Sequence, residues 1–173
     1  MRDKAPAYPM TVYLCGLMSG EKLKETVSWR QTVREYYENW KGQGQYEIDF
    51  IDPFNGPELD SIDKEGLKSS VPAKAIIAGD FMSVKKCDLI VANLNDFGSS
   101  RPLIGSHWEL AWCWMMQKPF IIIVSKELRH RYETHPFTGQ ATFVFESVEE
   151  FLASKSLNYF YKRLNPATYH VEF

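Results

Sequence analysis

Short apolar runs alternate along this chain with longer stretches in which apolar residues recur every three or four positions. That alternation predicts strands interleaved with helices. Met10-Thr-Val-Tyr-Leu-Cys15 alternates, is rich in strand formers and reads as a buried first strand, closed by turn residues at 16–20. Residues 21–41 read as a helix with Glu21 in its first turn and Leu23, Val27, Val33, Tyr37 and Trp40 on one face, stopped by Gly42 and Gly44. Tyr46-Glu-Ile-Asp-Phe-Ile51 reads as a second strand, ended by Asp52-Pro53. From 54 to 70 the pattern dissolves into Gly, Pro, Asp and Ser, which predicts a long loop that would lie as a lid over the first two strand ends.

Periodicity returns at 71–86, where a helix opening near Pro72 would turn Ile76, Ile77, Phe81 and Val84 inward. A third strand is expected at 88–94, a helix at about 102–117, a fourth strand at 119–124 and a fifth at 141–145. A short helix follows at 148–154, and the aromatic tail from 156 (Tyr159, Phe160, Tyr161, Tyr169, Phe173) reads as extended. Strands alternating with helices call for a parallel sheet covered on both faces. With right-handed crossovers the expected fold is one α/β domain over 1–173, a flavodoxin-like, doubly wound five-stranded sheet of order 2-1-3-4-5.

Composition narrows the partners. The 173 residues carry 20 Lys and Arg against 22 Asp and Glu, a formal net charge of -2, so no basic stripe invites a nucleic-acid polymer or an anionic membrane. No segment approaches the roughly 20 apolar residues of a spanning helix, and residues 1–10 contain no signal-peptide core. Cys15, Cys87 and Cys113 show no CxxC pairing, which points to a reducing, cytoplasmic setting.

In open α/β sheets, ligands bind outside the carboxyl ends of the strands. There the sequence gathers Gly16, Met18 and Ser19, then Asp52, then the stretch from Asn93 through Ser99, Arg101, Gly105 and Ser106 to Glu109. Glu109 is expected in the first turn of its helix, where exposed amides favour an ionised carboxylate. Such a carboxylate can attack an electron-poor carbon; Tyr13 can hold one of its oxygens, and Asp80 is a second acid within reach for proton transfer. Each residue also has a plain structural reading: a dipole-complementing surface Glu, a solvated Asp and a core Tyr. Trp108, Trp112 and Met115 repeat at helical spacing and read as core or as an oligomer contact. Gly16 and Gly20 do not make a GxGxxG motif, and there is no GxxxxGK[ST]. The four histidines lack metal-ligand spacing, so no metal is expected. Cys15 lacks an identifiable base and makes a poor nucleophile.

Val12-Tyr-Leu-Cys-Gly16, Asp80 with Asp88 eight residues on, Gly105-Ser-His-Trp-Glu-Leu-Ala111 and Lys118-Pro119 together resemble the nucleoside 2-deoxyribosyltransferase superfamily, over about residues 11–155. That group includes 2'-deoxynucleoside 5'-monophosphate N-glycosidases. The resemblance implies Glu109 as the nucleophile that forms a glycosyl ester, Asp80 as the acid near sugar and base, and Tyr13 as the group that orients the nucleophile. It also implies residues 16–19 and Asp52 around the base or phosphate, no cofactor, and a homo-oligomer whose sites borrow groups from a neighbour. The partners expected are a nucleoside or nucleotide and a nucleobase. Two departures bear on the reaction: Leu103 stands where transferases commonly have an acid, and Ser19 stands where nucleotide hydrolases have an arginine. Asp96, Ser99 or Arg101 would have to substitute. Position 111 is Ala where Gly is usual. Deoxyribosyl transfer to another base leads, with monophosphate hydrolysis next and a non-catalytic nucleotide sensor third.

Overall fold

The computed structural model describes residues 8–18, 23–41, 46–55, 61–63, 66–68, 70–100 and 102–166. Its main sheet has five parallel strands: β1 (Met10–Gly16), β2 (Ile48–Ile51), β5 (Leu89–Asn93), β6 (Phe120–Ile123) and β7 (Phe143–Phe145). Their spatial order is β2-β1-β5-β6-β7, the doubly wound 2-1-3-4-5 arrangement expected from the pattern. β1 sits between β2 and β5, pairing Tyr13 with Ile51 on one side and Gly16 with Asn93 on the other. Its central position explains why all its side chains but Thr11 are buried.

The two faces of β1 feed two cores. Val12 and Leu14 pack with Trp29, Val33 and Tyr37 of helix α1 (Leu23–Lys41) and with Phe151 and Leu157 of α5 (Val148–Ser154) and α6 (Ser156–Leu164). Tyr13 and Cys15 pack on the other face with Val84 of α2 (Ala73–Lys86) and with Leu110 and Cys113 of α3 (Ile104–Met115). Fully burying a Leu, Ile or Val contributes about 1.5–3 kcal/mol, so this central strand is the main source of cohesion on both faces.

Several expectations need correction. The 54–70 stretch is not a plain loop. A 3₁₀ turn covers Pro53–Asn55, and β3 (Ser61–Asp63) pairs antiparallel with β4 (Gly66–Lys68). The polar stretch 125–140 contains helix α4 (Lys126–Thr134), with no buried residue; it shows no apolar stripe because its inner contacts are only half-buried. The aromatic tail is not extended over 156–164 but forms α6, which buries Leu157 and Tyr161 against the first core. Tyr169 and Phe173 lie outside the described residues, as does Glu21. On α1 the inward face is set by Thr26, Trp29, Arg30, Val33 and Tyr37, while Val27 and Trp40 are half-buried. A buried arginine interrupts the apolar pattern of that face. On α2 only Val84 is buried; Ile77 is 54% exposed and Phe81 39%. Trp108 and Met115 are 60% and 72% exposed, so neither is a core residue.

Lys118 explains how α2 ends. Its ammonium donates to the carbonyls of Val84, Lys85 and Cys87, the last carbonyls of that helix. Among the described residues, no helix is long and apolar enough to cross a membrane.

Candidate active site

Glu109 is not in the first turn of its helix. α3 begins at Ile104, after Pro102-Leu103, which puts Glu109 in the second turn, facing β1. Its residue exposure is 8%, and the surroundings, not the helix N-terminus, set its charge. Burial pushes the Glu109 carboxyl up to about 7, helped by the negative charge of Asp80. Hydrogen bonds from Cys15 and Tyr13, and the positive charge of Arg30, pull the other way. The expected dipole effect is thus replaced by desolvation with partial compensation.

The compensation is built into β1. Side chains two apart on a strand share a face, so Tyr13 and Cys15 both turn toward α3. The Tyr13 hydroxyl donates to Glu109 Oε1 at 2.8 Å. Burial first, and the neighbouring carboxylate second, raise the Tyr13 phenol well above its ordinary value, which keeps it a donor. The Cys15 thiol donates to the Ser106 carbonyl oxygen at 3.7 Å and helps hold the Glu109 carboxyl below the value that burial alone would set.

Asp80 comes to the same place from α2. It lines, with Glu109, a cleft of about 330 Å³ whose other walls are Ile77, Ile104, Gly105, Trp108 and Trp112. Two carboxyl groups therefore share a hollow that is otherwise apolar among the described residues. The Gly105 backbone forms part of the wall, and a Cβ there would meet nothing within 4 Å.

Gly16 closes β1 where space is tightest. A Cβ at this position would stand 2.8 Å from the Asn93 carbonyl oxygen and 3.3 Å from both Arg30 Nη2 and Trp29. Asn93, on the paired strand end, accepts at Oδ1 from the Asn95 backbone N–H at 3.1 Å and from Asn95 Nδ2 at 2.9 Å. Asn95 Oδ1 in turn accepts from the Ser125 N–H, tying the β5 and β6 ends together. Beyond it, Asp96 accepts from Gly98 N–H in a tight turn, with Phe97 and Gly98 at positive φ, and half-buried Ser99 ends the turn. Met18 is half-buried two residues past β1.

Asp52 lies at the end of β2, as expected, but its carboxylate is already engaged. It stands 3.6 Å from Arg30 Nε and 3.4 Å from Arg34 Nη1, and it accepts from the Phe54 N–H at 3.0 Å. Ser19 and Arg101 lie outside the described residues. The structure thus brings Tyr13, Asp80, Gly105, Ser106 and Glu109 together, and it sets Asp52 apart beside Arg30.

Two residues near the site are not evident from the sequence in these roles. Cys15 reads there as a poor nucleophile, whereas in the fold it is a buried donor to the Ser106 carbonyl. Its burial lifts the thiol well above its ordinary value. Arg30 belongs to no motif, although a basic residue on an otherwise inward face of α1 was a usable signal. Among the described residues, no three His, Cys, Asp or Glu side chains gather as a metal site would require.

The sequence matches no family model and no curated protein. Solved structures do show likeness. The Clostridium botulinum CMP N-glycosidase BcmB matches with a TM-score of 0.53 at 16% identity, over 85% of this chain and 98% of that chain. A 2-desoxiribosyltransferase from Leishmania mexicana matches with a TM-score of 0.49 at 19% identity, over 89% of this chain and 98% of that chain. The first of these likenesses establishes that this chain has the doubly wound fold of the N-glycosidase, the fold that the motif resemblance implied.

Proposed function

We propose that this protein cleaves the N-glycosidic bond of a 2'-deoxynucleoside and passes the deoxyribosyl group to another nucleobase through a covalent ester on Glu109. The observation that carries the reading is the buried Glu109 carboxylate, oriented by Tyr13 and sharing an apolar cleft with Asp80. The fold shared with a CMP N-glycosidase supports the same chemistry class.

In the first step a Glu109 oxygen bonds to C1' as the C1'–N bond breaks. The bonding pair leaves with the base, whose ring nitrogen takes a proton from Asp80. In the second step a nitrogen of an incoming base attacks C1', the ester C1'–O bond breaks, and Glu109 regains its carboxylate while Asp80 recovers a proton from that nitrogen. Tyr13 holds Oε1, aiming the other oxygen at C1'. An oxocarbenium-like transition state gains from an adjacent anion in a site of low dielectric. Trp108 and Trp112 offer flat apolar surface for a base and keep water from the ester, which favours transfer.

The runner-up is hydrolysis of a nucleoside monophosphate. Its support is the built turn at 96–99, two residues before Arg101 in the chain, and the shared fold of the CMP N-glycosidase. One experiment separates the two. The purified protein is incubated with deoxynucleosides plus a free acceptor base, and separately with monophosphates alone. A new nucleoside that forms only with acceptor supports transfer, whereas free base from monophosphates alone moves the assignment to hydrolysis. Intact-mass trapping of a deoxyribosyl adduct on Glu109 supports both, and turnover retained by Glu109→Ala overturns both.

A further inference from the structure

A glycine that the fold does not require lowers stability, because alanine in its place leaves the unfolded chain less freedom to lose. Gly16 is required: a Cβ there would stand 2.8 Å from the Asn93 carbonyl oxygen. Gly98 is required by its φ of 75°. Gly105 has neither reason. It lies in the first turn of α3, its φ is outside the left-handed range, and a Cβ on it would meet nothing within 4 Å. The space that such a Cβ would enter is the cleft, which Gly105 lines together with Asp80 and Glu109.

We propose that Gly105 is a specificity-determining residue: the gap left by its missing side chain is the seat of the substrate's sugar ring, kept open at a cost to helix stability. The inference deepens the proposed reaction and rests on the reading of this cleft as its site. Gly105 precedes Glu109 by four residues, so the two share one face of α3 and lie about 6 Å apart along its axis. Three residues beyond Glu109, the next lining residue of α3 is Trp112. The carboxylate thus stands between bare backbone on one side and an indole on the other.

The acid that protonates the leaving base fixes which end takes the base. Phe81, next to Asp80 on α2, packs edge-on against Trp112 with ring centroids 5.3 Å apart. That contact sets the Asp80 level of α2 beside the Trp112 level of α3. The base, which must reach Asp80, lies at the Trp112 end, where a flat ring meets a flat indole. C1' is bonded to Glu109 in the middle, so the sugar extends toward Gly105. A furanose is saturated and puckered, and a recess suits it better than an aromatic plate. Ile77 and Ile104 frame that recess at 54% and 61% exposure, and the helix backbone at Gly105 is its floor.

The test sets stability against binding. Gly105→Ala and Gly105→Val are made in the full chain and in the Glu109→Gln background, where the proposed ester cannot form. Binding of the four common deoxynucleosides and of their free bases is measured by calorimetry. Gly105→Ala should raise Tm by about 1–4 °C. It should nevertheless weaken nucleoside binding roughly tenfold, and Gly105→Val roughly a hundredfold, with free-base affinity held within about twofold. KM for the nucleoside should rise in the same order. A fall in Tm for Gly105→Ala would show that the backbone needs the glycine. Unchanged nucleoside affinity would show that no ligand occupies the gap. Either result overturns the proposal and leaves the reaction standing. Equal losses for nucleoside and free base would put the base at Gly105 and overturn the assignment of the sugar. If the Glu109→Gln protein binds no nucleoside at all, the reading of the cleft fails first and the seat fails with it.

Discussion

β1 has a buried ionisable group against each face, and the two are treated differently. On the α1 face Arg30 is wholly enclosed. Its Nε donates to the Leu14 carbonyl and its Nη1 to those of Leu17 and Thr26, while Asp52 lies 3.6 Å away and the Trp29 and Phe54 rings lie on the guanidinium at 4.7 and 4.8 Å. On the α3 face Glu109 has no cation in contact among the described residues. Its partners are a phenol and a thiol, and its nearest charged neighbour from α2 is another acid. A charge that serves only structure is surrounded by opposite charge and carbonyls. A carboxylate left under-compensated beside an open cleft is stored reactivity, at a cost to the fold.

The largest way to break that contrast is Glu109→Gln. The amide still accepts from Tyr13, but it cannot form the proposed ester, so turnover should fall by roughly 10³-fold or more. Stability should move the opposite way. The folded-state value near 7 lies above the ordinary 4.5. Between these values the unfolded chain has released its proton and the folded one has kept it, so wild-type stability falls as pH rises through this window and levels off above about 7. The Gln variant has no such slope. Relative to wild type it should gain on the order of 2–3 kcal/mol between pH 4.5 and pH 8, read as diverging urea midpoints. Parallel midpoints across that range would show that Glu109 is not held against its charge. In the same range kcat/KM should show an acidic limb near 7, rising with pH as the proposed nucleophile ionises.

On the other face, Arg30→Met should cost about 3–5 kcal/mol, because it takes the buried cation from beside Asp52, leaving that carboxylate to Arg34 and the Phe54 N–H, and removes a side-chain donor from three main-chain carbonyls. Adding Asp52→Asn should recover part of that loss, since the second charge is then also gone. A double variant no better than the single one would mean that the main-chain carbonyls, not Asp52, are what Arg30 serves. Tyr13→Phe is expected to be smaller in stability and larger in titration. Loss of a hydrogen bond to an ionised group is worth about 1.5–3 kcal/mol, so the acidic limb should move up by about 1–2 pH units, measured in the kcat/KM profile.

This difference between the faces also explains what could be read before the structure. The strands at 88–94 and 119–124 followed from apolar runs, because a parallel strand buried on both faces leaves a near-continuous signature, the strand at 10–15 from its alternation, and their order from right-handed crossovers. Tyr13 and Glu109 were legible because strand and helix periods fix which residues share a face. The position of Glu109 within its helix was not, because no side-chain cap marks the start of α3, which begins at Ile104, five residues ahead of Glu109. Arg30 was missed because charge patterning assigns arginine to solvent, and only tertiary packing shows a cation enclosed by carbonyls. The exposure of Trp108 and Met115 was missed for the converse reason, since a heptad-like stripe reports a contact but not whether this chain alone supplies it.

The smallest effect belongs to a pair chosen for its distance. Lys41 Nζ lies 3.0 Å from Asp49 Oδ1, closer than Arg30 lies to Asp52, yet both side chains are about half exposed. Water already solvates both charges, salt screens them, and holding two mobile side chains together costs entropy. Lys41→Met should therefore change stability by at most about 0.5 kcal/mol, and raising the salt concentration should erase even that difference. If Lys41→Met instead matched Arg30→Met in its urea midpoint, distance rather than enclosure would govern these pairs. The contrast drawn between the two faces of β1 would then lose its physical basis, because it depends on burial deciding what a charge contributes.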